Sequence, residues 1–467
     1  MPFQGLILKR FLGECSVFSR LVGMFSGNVD KPPVQVRQAA LAEGVKVIPA
    51  APASKTDVPS VMRREAMLGR DRKVAGYTFM LRRELDEQQN NALPTMQKLR
   101  DETLLVNLQR MDITRLLGQR LAFVPVTPAT LFNPLVDGWP ETGTVWVLTL
   151  DSRMLIDAPL LERMSDLKAR GGRFAAQAED MARPEYQALL QLVDYVLMDV
   201  SGEDIPAITS SMAAVSRIAT GKQFVASDVQ TLEAFHMCHK LQFAFFMGPF
   251  ITRRETLDNP ALGPSRAKVL DLMNRVRTGA EQPVLAAQFR HDPVLSVRLL
   301  RYVNSPGMGL LNKIGSIEQA LMVMGQDKLY RWLTMILFTG GQTHELDQAV
   351  LENALTRGRM AEQLAGRALF AKARDEIFVA GLFSLLDVVM GIPMEKVLGQ
   401  ISLPAEITEA ILSQRGPYAP YLALAIACEQ DDQSSIDGLA KQIGRDVDEI
   451  NAAHMEALLW AQQVSDV

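Results

Sequence analysis

Between residues 59 and 257, short runs rich in β-branched and aromatic residues alternate repeatedly with longer segments of helical period. No other feature constrains the fold of this chain as strongly. The runs fall at 74–81, 121–126, 145–150, 173–176, 195–199, 223–227 and 243–247. Between them lie helical stretches such as 85–117, 184–193 and 159–170, the last with Leu160, Leu161, Met164 and Leu167 on one apolar face. Strand, helix, strand repeated this often requires parallel strands joined by crossover helices, and about 200 residues of it predicts an α/β fold closed as a compact (β/α) barrel. In such a barrel, chemistry gathers at the C-terminal ends of the strands.

The whole chain has 467 residues, 48% hydrophobic and 22% charged, which is more than one core usually organises and ordinary for a globular protein. Three regions are expected: a leader and linker at 1–58, the barrel at 59–257, and an all-helical domain at 258–467. In the leader, Leu6, Ile7, Leu8, Phe11, Leu12, Val17, Phe18, Leu21, Val22 and Phe25 form an apolar stripe broken by Lys9, Arg10, Glu14 and Arg20. It reads as an amphipathic helix that packs or binds a partner, with a disordered leader and a membrane-surface contact as the alternatives; it is too charged to span a membrane and has no secretory cleavage pattern. Prolines at 32, 33, 49, 52 and 59 mark the linker.

A net charge of −4 gives no pull toward nucleic acid. The basic run Arg63, Arg64, Arg70, Arg72, Lys73, Arg82 and Arg83 is interrupted by Glu65, Asp71, Glu84 and Asp86, and reads as a solvated face, with a partner patch as the alternative. Cys15, Cys238 and Cys428 are too few and too scattered for a disulfide scaffold, so a cytoplasmic location is expected, with no transmembrane segment.

The second half shows helical spacing from about residue 265 onward. Asp292 before Pro293 has the form of a helix N-cap and first position. Ser316 with Gln319 forms a capping box for a helix that stops near Gly325, and Asp327 caps the next. Further helices are expected at 346–371, 376–390, 405–413, 420–429, 435–443 and 447–464.

Four segments of the barrel region, in order, look like signatures of the EAL family. They are Gly76-Tyr77-Thr78-Phe79-Met80-Leu81-Arg82, Tyr195-Val196-Leu197-Met198-Asp199, Phe224-Val225-Ala226-Ser227-Asp228-Val229-Gln230-Thr231 and Phe246-Met247-Gly248-Pro249-Phe250. The resemblance implies a TIM-type barrel. In active members, two divalent cations held mainly by carboxylates activate a water that hydrolyses cyclic di-GMP, with a lysine nearby. Carried over by position, the opening glutamate falls on Thr78, the asparagine on Pro125, the third-strand glutamate near Thr149 and the paired aspartates on Gln177 and Ala178. The lysine falls on Leu197, the late glutamate on Gln230 and a glutamine on Met247. Asp199 alone is retained. Asp151, Glu179 and Asp228 lie two residues from lost carboxylates, a shift of about 6 to 7 Å along a strand that a metal ligand does not tolerate. Thr78 has no acidic residue within two positions.

The segments Asp292-Pro293-Val294-Leu295-Ser296, then Arg298-Leu299-Leu300-Arg301-Tyr302-Val303-Asn304-Ser305, then 314–320 and Gly325, resemble an HDOD domain, an HD-like helical fold used for signalling and lacking the HD metal ligands. His291-Asp292 is read as capping, and Ser384-Leu385 stands where an HD enzyme would place its His-Asp pair. Asn304 and Ser305 with the loop 306–313 are candidate partner contacts; the plainer alternative is that they close a helix and shape a turn.

Other constellations carry less. His236, Cys238 and His239 lack a fourth ligand and read as packing or surface residues; Gly171-Gly172 and Gly340-Gly341 read as turns; no G-x-S-x-G elbow is present. EAL followed by HDOD resembles a bacterial two-domain signalling family. The expectation is therefore a non-enzymatic regulator with a degenerate barrel, binding other signalling proteins through the HDOD domain, with no cofactor, metal or nucleic acid. Two alternatives stand beside it: a cyclic di-GMP receptor that binds without hydrolysis, with Arg82 and Arg83 as phosphate contacts, and a residual phosphodiesterase.

Overall fold

The computed structural model describes residues 61–81, 94–117, 120–140, 142–150, 156–181, 183–202, 205–253, 264–304, 308, 310, 313–339, 346–366, 369–429 and 433–465. The leader and linker, Arg82, Arg83, Asp151 and Ser305 lie outside them. Two compact units emerge: Val58–Leu262 together with Gly341–Leu459, and Gly263–Gly340 together with Trp460–Val467.

The first unit contains a closed barrel whose strands follow chain order: β1 (Met62–Gly69), β2 (Val74–Leu81), β3 (Leu121–Val126), β4 (Thr144–Leu148), β5 (Arg173–Gln177), β6 (Tyr195–Asp199), β7 (Gln223–Ser227) and β8 (Phe245–Met247). Strands β2 to β8 run parallel, and β1 closes the ring antiparallel to both β2 and β8. Closure leaves no free edge. Seven strands lie where the alternation of the sequence predicts them. β1 corrects the reading of the basic run as a solvated face, because Arg63 and Arg64 lie within it and Arg64 is buried. Charged residues at successive positions hide its period-two pattern.

Alternation along each strand sorts the side chains. Inward stand Met67, Phe123, Val145, Val147, Ala175, Tyr195, Leu197, Val225 and Met247, all buried in one apolar cluster. The rings of Phe123, Tyr195 and Phe245 form a triangle with centroids 5.5, 5.8 and 6.4 Å apart. The lumen is thus a packed core, not a pore.

Around the barrel lie α1 (Pro94–Arg110), α2 (Ala158–Ala169), α3 (Ala178–Met181), α4 (Gln187–Leu192), α5 (Ile205–Ile218) and α6 (Leu232–Lys240). α2 starts where Asp157 accepts the Leu160 amide at 3.1 Å, and it buries Leu160, Met164 and Leu167 as its periodicity demands. The stretch expected as one helix at 85–117 is, in its described part, α1 and a short turn, divided at Asp112, whose φ is 53°.

The second unit packs α7 (Pro264–Arg277), α8 (Gln282–Arg290), α9 (Pro293–Val303) and α10 (Ile317–Thr339) around Met273, Phe289, Tyr302 and Trp332. Asp292 caps α9, accepting the Leu295 amide at 3.0 Å with Pro293 first in the helix. Ser316 accepts the Gln319 amide at 3.2 Å. α10 breaks at Gly325 (φ 66°, ψ 177°), the position where the sequence stops one helix before Asp327.

The remaining helices are α11 (Asp347–Ala365), α12 (Ala371–Phe383), α13 (Leu386–Met390), α14 (Met394–Leu398), α15 (Ala405–Leu412), α16 (Ala419–Ala427), α17 (Gln433–Ile443) and α18 (Val447–Ser465). The helix expected at 376–390 is two, because the chain turns at Ser384, whose hydroxyl donates to Gly381 O at 2.7 Å. α11 and α12 cross with backbones almost touching: a Cβ on Gly381 would stand 2.5 Å from Gly358 Cα. The sequence places one boundary at 257/258, whereas the compact units also divide the helical half at 340/341 and group α11 to α17 with the barrel.

Candidate functional site: the barrel mouth

Strand register gathers the positions singled out by sequence at one end of the barrel. Thr78 pairs with Phe123, Pro125 with Val147, Gln177 with Leu197, and Asp199 with Ser227. Pro125, Gln177 and Asp199 stand at or next to the C-terminal ends of β3, β5 and β6, and Thr78 lies in the C-terminal half of β2. Thr149 follows β4 directly and is exposed, its amide donating to Val126 O at 3.0 Å. Gln230 lies three residues beyond β7.

Below this rim the lumen is apolar. Leu197 and Met247 are each only 5% exposed within the core cluster. Thr78 is buried, and its hydroxyl donates to Met247 Sδ at 3.1 Å. The positions of the expected glutamate, lysine and glutamine therefore carry a hydroxyl bonded to a thioether, a leucine side chain and that thioether itself.

Polar groups remain around the edge. Asp199 is exposed and accepts the Ser201 amide at 2.8 Å. Asp228, in the left-handed region at φ 55°, accepts from Gln230 Nε2 at 2.5 Å, and Arg253 donates to Gln230 Oε1. Glu179 does not continue a strand face, contrary to the sequence reading. Ala178 opens α3, so Glu179 projects from a helical turn and is exposed. Burial pushes the Asp180 carboxyl upward, an effect opposed by Arg183.

Two mouth features escape sequence reading. Glu65 on β1 pairs with Thr78 and, two residues from inward-facing Met67, shares its face. Thr78 thus has an acidic neighbour across the strands though none along the chain. Asp101 of α1 accepts from Thr127 N at 2.7 Å, Thr127 Oγ1 at 2.9 Å and Thr130 Oγ1 at 2.7 Å, fixing the loop after Pro125. Burial raises its carboxyl while these bonds lower it. Among the described residues, no three His, Cys, Asp or Glu side chains gather closely enough to hold a metal ion. Hard divalent cations require several oxygen donors at about 2.0 to 2.6 Å, and Asp199 is the one carboxylate at the aligned positions.

The opposite face of β1 and β2 meets α11 and the chain near α16 and α18. Tyr77, next to Thr78, is fully buried and donates to Glu352, which pairs with Arg120 at 3.2 Å. Burial, then the Glu352 charge, pushes the Tyr77 phenol far up, against Arg64 and Arg120. Arg64 lies over the Tyr77 ring at 5.4 Å and donates through Nε to His454 Nε2 at 2.8 Å and through Nη1 to Asn353 Oδ1 at 3.4 Å. It also pairs with Glu429 at 3.5 Å, which pairs with Arg357 at 2.7 Å, which donates to Ser384 Oγ at 3.1 Å. Ser384, the position compared with an HD His-Asp pair, thus sits against an arginine.

The remaining candidates resolve into packing. Asn304 closes α9, its amide nitrogen donating to Leu300 O at 2.9 Å and Ile314 O at 2.7 Å while its oxygen accepts Ile314 N at 2.6 Å. Cys238 is buried, its thiol pushed up to about 11 by burial, and His239 stacks on Phe246 at 5.8 Å. No described helix is long and apolar enough to cross a membrane.

With this geometry in place, comparison with known families assigns part of the helical half. Residues 260–401 match the HDOD domain. That HDOD match begins just before α7, ends after α14 and straddles the boundary at 340/341. Over 420 residues the chain is 23% identical to the cyclic di-GMP phosphodiesterase CdgJ of Vibrio cholerae, covering 89% of this chain and 95% of that protein. It is 24% identical over 414 residues to the uncharacterized protein YuxH of Bacillus subtilis, covering 86% and 98%. Among solved structures, an EAL domain protein from Listeria monocytogenes shares 16% identity and a TM-score of 0.33 over 43% of this chain and 93% of its own.

Proposed function

We propose that this chain is a cyclic di-GMP signalling protein of the EAL–HDOD type whose barrel has given up hydrolysis and serves as a non-enzymatic regulator. The HDOD match and the relative named a cyclic di-GMP phosphodiesterase support the signalling class. The observation that carries the non-enzymatic reading is the filled mouth: Thr78 bonded to Met247, and Leu197 buried beside them. The donor set does not fit a pair of divalent cations, since Pro125 has no side-chain donor, Leu197 and Met247 are apolar and Gln177 offers an amide. In this reading other signalling proteins are its partners, through the HDOD region, and effects on motility or surface behaviour follow by analogy with the resembled family alone.

The relative named a phosphodiesterase keeps cyclic di-GMP in view as a ligand. Calorimetric titration of the full chain with cyclic di-GMP, with and without Mg²⁺ or Mn²⁺, separates the possibilities when combined with chromatography of the products. The expected result is no turnover. Metal-dependent hydrolysis lost in Asp199→Ala would overturn the reading, and binding without turnover would make the barrel a receptor.

A further inference from the structure

We propose that the helices within Gly341–Leu459 act as a clamp on the barrel rather than as part of a separable HDOD module, and that the buried polar seam against β1 and β2 is its latch. The HDOD match then spans two units that respond separately, the second being Gly263–Gly340 with Trp460–Val467.

Three observations converge. The compact units divide inside the HDOD match, grouping Gly341–Leu459 with the barrel and Gly263–Gly340 with Trp460–Val467. The smaller unit has its own core, in which Trp332 lies 6.2 Å from Phe289 and 5.9 Å from Tyr302. The helices grouped with the barrel are tied to it by side chains with almost no exposure: Arg64, Tyr77 and Arg120 on one side, Glu352, Asn353 and His454 on the other. A backbone bond from Arg64 N to Cys428 O at 3.4 Å and one from Met62 N to Asn451 Oδ1 at 2.9 Å continue the seam.

The chemistry makes this seam specific. Buried charges cost desolvation that only well-placed opposite charges offset, so each member tolerates one arrangement of its partners and losing one strands the others. Adjacent greasy faces can slide; this network cannot. Because Tyr77 and Thr78 are consecutive on β2, the strand that meets the latch outside also lines the mouth inside. The clamp therefore holds the mouth in its closed, apolar packing, whether or not the barrel binds a nucleotide.

Hydrogen–deuterium exchange on the full chain tests the inference with two mild variants, Glu352→Gln and Tyr77→Phe, and a reciprocal one, Phe289→Leu. Expected for both seam variants is exchange at least about tenfold faster in 62–81 and 347–427 together, with 264–303 unchanged. Phe289→Leu should speed exchange in 264–339 and leave 62–81 and 347–383 as they were. If the seam variants loosen 264–303 as much as 347–427, the helical half is one module and the proposal fails. If they loosen 347–427 while 62–81 keeps its protection, the seam is no latch. Should Glu352→Gln not fold, Tyr77→Phe decides alone, since it removes one hydroxyl and no charge.

Discussion

Thr78 Oγ1 donates to Met247 Sδ at 3.1 Å, joining the second and last strands across the mouth of the barrel. Two residues at positions that the EAL resemblance gives to a glutamate and a glutamine have become each other's partners. Their surroundings agree, since Met247 shares one buried apolar cluster with Leu197 and Val147.

Restoring the missing glutamate alone should not restore chemistry. A carboxylate at position 78 would face Met247 and stand beside the carboxylate of Glu65, its cross-strand pair. Thr78→Glu is expected to lower stability by about 3 kcal/mol and to show no hydrolysis of cyclic di-GMP. Thermal unfolding and product chromatography measure both, and turnover by this single variant would refute the account of the mouth.

Gly381→Ala tests the crossing of α11 and α12. The new methyl would lie 2.5 Å from Gly358 Cα and 2.6 Å from Gly358 N, both backbone atoms without freedom to yield. A loss of about 3 kcal/mol is expected from overpacking, read as a fall in the denaturation midpoint. Alanine at Gly438, which has nothing within 4 Å, should show no such clash.

His454 gives the seam an acid limit. Burial first, and the Arg64 guanidinium next, push its pKa down from 6.5 to about 3. The folded state therefore holds the ring neutral while the unfolded chain protonates it below pH 6.5. Stability from this group is complete above that pH and falls as pH drops toward 3, by about 1.4 kcal/mol per pH unit. Unfolding midpoints across this range should show a steeper acid decline in the native chain than in His454→Gln, which can still accept from Arg64 but does not titrate. Equal slopes would rule out a buried neutral histidine.

Asn304→Ala removes three hydrogen bonds that tie the end of α9 to Leu300 and Ile314. A loss of about 1–2 kcal/mol is expected, with faster exchange of the Ile314 amide. A capture assay with the full chain shows whether a partner is lost as well. Partner loss without a change at Ile314 would mean that the amide itself makes the contact.

The strand-helix alternation, the caps at Asp157, Asp292 and Ser316 and the break at Gly325 were legible because each depends on residues a few positions apart. β1 was not legible, because its consecutive Arg63, Arg64 and Glu65 look solvated until one knows what each faces. Arg64 meets His454 across 390 residues of chain, and no local pattern reports that contact. Glu65 beside Thr78 was hidden for the same reason: a residue's neighbours in a barrel lie across strands.

Sequence by itself determined that the barrel positions Thr78, Pro125, Leu197 and Gln230 carry no carboxylate, because side-chain chemistry is fixed by residue identity. Only the tertiary structure decided that Thr78 and Met247 close the mouth together, that Arg64 is buried, and that the helical half divides at 340/341. These depend on which distant surfaces pack and on which buried charges find partners. Such outcomes belong to the folded chain as a whole.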